Sequence, residues 1–214
     1  MSRLMRAPRE CGSWFWDLED FAEPGLESAL ATAARMCEVL ERLDLLVPAK
    51  VEYGWYVMGR GATGVTTSLE VVKPLDHPSL PGRLLGSRPV AFPDAKIDWV
   101  NVIGAGTWID EKGREYRELR LVDLSVDPAP VGLSVELSVH HDIWSQYDFS
   151  GRPHPLVYQR NAPRLKAALE GLTSLFGNPP EPGEPTYFGT ATADGLAVPE
   201  ADEDGLGPDL TFRL

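Results

Sequence analysis

Two amphipathic segments bracket a long β-patterned middle, and that order most narrows the folds open to this chain. Leu26, Leu30, Ala33, Cys37 and Leu40 recur at helical spacing, while Glu27, Arg35, Glu38, Glu41 and Arg42 fall mostly off the stripe. A helix is therefore predicted over Leu26 to Leu46, with Pro24-Gly25 before its first turn and Pro48 ending the pattern. Leu165, Ala168, Leu169, Leu172, Leu175 and Phe176 form a second stripe, predicting a helix over about 162–176. Asn161 reads as its N-cap, Pro163 falls in the first turn, and Gly177-Asn178-Pro179-Pro180 stops it.

Between the helices the periodicity changes to two. Val51 to Met58 and Val65 to Val72 are rich in β-branched and aromatic residues and flank a glycine-rich turn, as a hairpin does. Ile97 to Ile109 and Glu115 to Val126 flank Asp110-Glu111-Lys112-Gly113, a second hairpin turn. Val131 to Trp144 supplies a fifth strand and Ser13 to Leu18 a sixth. Strands that follow one another so closely pair as antiparallel neighbours. Pro74 to Ala95 holds five prolines and reads as a surface loop. The expected class is α+β: a mostly antiparallel sheet of five to six strands with two main helices packed on one face.

A chain of 214 residues suits one domain of this kind, placed at 1–176. From Gly177 to Leu214 eight acids face one base, which accounts for −7 of the total −12. This proline- and glycine-rich segment reads as a partly docked extension, not a separate domain. Thr186 to Thr192 is its docking edge and Ala197 to Pro208 a solvated acidic tail.

A net charge of −12 repels phosphate backbones and disfavours nucleic acid as a partner, while it speeds encounter with a basic protein. No window reaches the roughly 20 apolar residues that cross a bilayer, and the first residues lack the apolar run of a secretory signal. Two cysteines, Cys11 and Cys37, are too few for a disulfide framework. The expectation is a cytoplasmic protein without a membrane partner.

Familiar catalytic motifs are missing or misplaced. GRGATG, Gly59 to Gly64, matches the spacing of a dinucleotide loop, but VTTSLEVV follows it as a strand where that site needs a helix N-terminus. Pro93-Asp94 followed by Asp110-Glu111-Lys112 loosely matches a nuclease spacing, yet the second element lies at a hairpin tip. The sequence has no H-E-x-x-H, G-x-S-x-G, G-x-x-x-x-G-K-[ST] or C-x-x-C. No cofactor is expected, and the reading leans away from catalysis.

One stretch remains, VELSVHHDIWSQYDFSGRPHP, Val135 to Pro155. Continued as a strand to Trp144, it places His141 with Val135, Leu137, Val139 and Ile143, and His140 with Glu136, Ser138, Asp142 and Trp144. His140 and Asp142 could then hold a divalent metal with His154, or Glu136, or His77, as a metal-dependent hydrolase requires. The competing account makes His141 a core-edge histidine and His140–Asp142 a solvent-facing ion pair. A third account reads Asp142, Trp144, Tyr147, Asp148 and Phe149 as a partner-binding loop, with aromatic anchors and charges that select the partner. Against it stands simple packing of these aromatics over the sheet end.

The order of LESALATAARMCEVLERLDLL, VEYGWYVMG, a loop, a meander and a C-terminal helix resembles bacterial polymorphic-toxin immunity proteins, of the immunity protein 52 type. The resemblance covers residues 14 to 176 and carries no functional residue across. It implies a cytoplasmic inhibitor that caps a toxin's active site, and −12 would suit a basic toxin. The resulting expectation is a non-catalytic, acidic protein-binding protein, with the metal-dependent hydrolase as the alternative.

Overall fold

A computed structural model of the chain describes residues 4–72, 74–129 and 132–214. The class is α+β. Strand β1 (Gly12–Asp17) is followed by helix α1 (Leu26–Glu41), the long hairpin β2 (Val47–Val57) and β3 (Gly61–Glu70), and a short helix α2 (Leu80–Gly86). Then come β4 (Lys96–Ile109), β5 (Glu115–Leu119), β6 (Asp123–Asp127), β7 (Ser134–Val139) and helix α3 (Pro155–Phe176). The two-residue strands β8 (Glu181–Pro182), β9 (Ala191–Thr192) and β10 (Gly195–Leu196) lie near the C-terminus. Eight strands form one sheet in the order β3-β2-β4-β6-β7-β1-β8, with β5 on β4, and every pairing is antiparallel.

Alternation divides this sheet into two faces. Trp14, Trp16, Val51, Tyr53, Trp55, Val100, Val102, Leu124, Val126, Val135, Leu137 and Val139 belong to one buried cluster with the apolar faces of α1 and α3. Helices α1 and α3 pack on that side. Gly104 and Gly106 of β4 are needed because the end of the α1–β2 connection and the start of β2 approach them closely: a Cβ there would strike the backbone carbonyls of Val47 and Leu45.

Several elements differ from expectation. Helix α1 ends at Glu41, not Leu46, because Asp44 adopts φ 53 and the chain turns so that Leu45 and Leu46 enter the core. Helix α3 starts at Pro155, so Asn161 is an interior residue. Its buried amide takes the Ile109 N–H at 3.0 Å and gives to the carbonyls of Ile109 and Val157 at 2.8 Å each. The proline-rich loop contains α2, with Pro81 in the first turn and Leu80 and Leu84 buried. The predicted fifth strand spans Ser134–Val139; its expected first residue, Val131, lies outside the described residues.

The acidic extension is anchored more widely than its docking edge alone. β8 pairs with β1, the Trp14 indole donates to the Thr192 carbonyl at 2.7 Å, and the Leu210 N–H bonds the Phe149 carbonyl at 2.7 Å. No helix among the described residues is long and apolar enough to cross a membrane.

Candidate functional site

The side of the sheet that no helix covers carries the polar half of each alternation. The pairing registers line up Glu52, Asn101, Ser125, Glu136, Phe15 and Glu181 as one row across six strands. Asp127, Ser134 and Asp17 form a second row, and Asp123, Ser138 and Ser13 a third. The Trp99 indole lies against Gly54 on this side, where any Cβ would collide with it.

One irregularity shapes the face. Ala105 pairs with Leu119 but Val102 pairs with Leu124, so β5 and β6 form one interrupted strand with extra residues opposite β4. Arg120 takes φ 56 at the interruption, and Leu121 and Val122 are both buried. A non-glycine residue in that conformation is strained. The bulge aims Arg120 and Asp123 to the same side. Arg120 Nε donates to Asp123 Oδ1 at 2.8 Å, Arg6 donates to Asp123 Oδ2 at 3.1 Å, and His140 Nε2 lies 3.4 Å from that second oxygen. Asp123 is thus saturated by two guanidiniums and an imidazole.

Electrostatics across the face are uneven. Burial, followed by the Arg6 guanidinium, lowers the pKa of His140, and Asp123 and Glu10 offset this only in part. The His140 ring is neutral near pH 7, its Nε2 faces Asp123, and its Nδ1 is sealed from solvent. Burial raises the pKa of Glu136, helped by the Glu10 and Asp123 carboxylates, and burial with Asp98 raises that of Asp127. Lys50–Glu52 at 2.6 Å is the ion pair on the β2 side of the face. Among the described residues, Asp17, Asp127, Glu136 and Glu181 join no ion pair.

Between Trp99 and this charged cluster lies a hollow of about 340 Å³, lined by Trp99, Asn101, Ile103, Ser125, Glu136 and Ser138, with Arg120, Asp123 and His140 closing one end.

The residues singled out from sequence do not assemble as expected. Strand β7 stops at Val139 and the chain enters a 3-10 turn over Asp142–Trp144, so the alternation no longer applies. Asp142 is 1% exposed beneath the N-terminal segment, where its Oδ1 accepts the Met5 N–H at 3.2 Å. The proposed His140–Asp142 pair is therefore corrected to His140–Asp123. His154 precedes α3 with Nε2 against the Ser145 carbonyl at 2.9 Å, and His77 pairs with Ser79 on a loop. The set His140, Asp142, His154 does not converge, and among the described residues no three His, Cys, Asp or Glu side chains form a metal-binding group.

The partner-binding loop is corrected too. Asp142, Trp144 and Phe149 are buried, and Phe149 packs edge-on against Phe188 at 5.4 Å. Tyr147 is covered by the C-terminal segment at Gly207. Asp148 closes its own turn, accepting from Ser150 N–H at 2.8 Å and Arg152 N–H at 3.0 Å. These residues close the sheet end, so they offer little area to another molecule.

What sequence reading missed was Phe15, Trp99, Arg6, Arg120 and Asp123. Phe15 was legible: it alternates with Trp14 and Trp16 and must face the other way. No protein family, curated protein or solved structure matches the chain.

Proposed function

We propose that this chain is an acidic protein-binding protein of the immunity-protein kind, which holds a basic protein partner against the uncovered face of its sheet. The observation that carries the reading is Phe15. This ring is 40% exposed toward one edge of a polar face and stands between its register partners Glu136 and Glu181, with Asp17 and Asp127 in the adjoining row. An exposed aromatic beside carboxylates that join no ion pair among the described residues has the pattern of an interface anchor with a charged rim. The rim steers a cationic surface and the ring supplies the dehydrated contact.

Inhibition on this reading is steric: the sheet face covers the partner's active site and contributes no chemistry of its own. The net charge of −12 favours a basic toxin as the partner over any nucleic acid.

Co-expression with the product of the adjacent gene tests the proposal. The expected result is a stoichiometric complex that weakens with salt, together with loss of that product's toxicity. Replacing Asp17, Asp127 and Glu136 by lysine should abolish both while the chain stays folded. Absence of a complex with the wild-type chain, or a complex indifferent to the three reversals, removes the reading.

A further inference from the structure

The hollow beside the charged cluster deepens the docking reading and rests on it. The geometry points to a guanidinium anchor site: the hollow between Trp99 and Glu136 receives one arginine side chain of the protein partner. Its size comes first. A space of about 340 Å³ lies at the lower end of ligand-sized cavities and suits one long side chain rather than a folded segment.

Its chemistry comes next. The floor is built of short polar residues, Asn101, Ser125 and Ser138, which leave depth and offer oxygen acceptors. Trp99 and Ile103 give an apolar side for the three-carbon stem, and the indole offers a flat face to a cation. Glu136 stands on β7, two strands from β4 and in the row of Asn101, so Trp99 lies two residues off that row, a backbone separation of roughly 12 Å at ordinary strand spacing. An arginine entering past Trp99 lays its stem in the hollow and turns its fork toward Glu136.

Third, the face already handles this group. Asp123, at the end of the same hollow, holds the guanidiniums of Arg6 and Arg120. Glu136 has no such partner among the described residues, although it is half-buried and near two other carboxylates. A planar fork matches a carboxylate with flanking hydroxyls better than the point charge of a lysine does.

The test uses N-acetyl-L-arginine amide as a mimic of a protein-borne side chain, titrated into the full chain and followed by NMR of the Trp99 indole N–H and the Ser125, Glu136 and Ser138 amides. Saturable shifts in the millimolar range are expected. The lysine counterpart should bind at least about fivefold more weakly, free L-arginine no more tightly, and the citrulline counterpart not at all. Glu136→Gln should abolish the shifts, Ser125→Leu should abolish them by filling the floor, and Glu70→Gln on the edge strand should leave them unchanged.

Equal binding of citrulline, retention in Glu136→Gln, or no saturable shift at all overturns the assignment. The docking reading fails separately. Arginine-amide binding without a complex with the adjacent gene's product keeps the hollow and removes the docking, whereas a complex without arginine-amide binding does the reverse.

Discussion

On the helix-covered face of the sheet, Trp14, Trp16, Tyr53, Trp55, Val102 and Leu137 are all sealed in the core; on the other face, Phe15 is 40% exposed and Glu136, Asp127 and Asp17 join no ion pair among the described residues. The same strands supply both sets, one residue apart. Alternation sets the faces apart, but it does not say what each face is for. The covered face is satisfied by the chain itself. The uncovered face groups an aromatic ring with carboxylates that join no ion pair among the described residues, and that grouping motivates the docking proposal.

The largest expected effect lies on the covered side. Trp14→Ala should cost about 3–5 kcal/mol in chemical denaturation, since it empties a fully buried indole site and leaves the Thr192 carbonyl without its donor. A cost below about 1 kcal/mol would mean that the two faces are not energetically distinct.

A carboxyl buried beyond the end of β7 gives the next effect. Burial pushes Asp142 up from 3.8 to about 7, with Asp148 adding to the rise. The folded chain then holds this proton more tightly than the unfolded chain. The group's contribution is fully present below about pH 4 and is lost as pH rises through about 7. His141 has the opposite sign: burial lowers it from 6.5 to about 4, so its contribution is present above 6.5 and fades as pH falls through about 4. Asp142→Asn should therefore gain on the order of 2–4 kcal/mol at pH 8 and almost nothing at pH 4, read from urea midpoints. An equal gain at both pH values would show that the carboxyl is not held protonated by burial.

A smaller effect is expected on the uncovered side. Asp123→Asn removes the charge shared by Arg6, Arg120 and His140, at a cost of about 1–2 kcal/mol because all three contacts are partly solvated. The loss of this anion should also move the His140 titration further down, measurable by NMR of the ring, because Asp123 is one of the groups that support the charged form. A His140 titration left in place would show that the bulge does not couple the two residues.

How much of this was readable before folding follows from particular residues. The polar Asp123, Ser125 and Asp127 alternate with Leu124 and Val126, so the two faces of β6 are written plainly. Leu121 and Val122 break that alternation as adjacent apolar residues, which is the trace of the bulge. The Arg6–Asp123 contact spans 117 positions and leaves no local mark. Asp142 was misplaced because a period of two was continued past Val139, where the strand had ended. Pro163 suggests a helix start, while about two turns of α3 precede it and a second proline, Pro155, begins the helix.

Phe15→Ala sharpens the contrast most because its two readouts should separate. Little core is lost when a ring this exposed is cut back, so stability should fall by less than about 1 kcal/mol. Its position between Glu136 and Glu181 makes it the centre of the proposed contact, so affinity for the partner should fall tenfold or more. Isothermal titration beside denaturation measures both on one sample. A large stability loss with unchanged affinity would place Phe15 with Trp14 and Trp16 as a structural residue, and the uncovered face would lose its anchor.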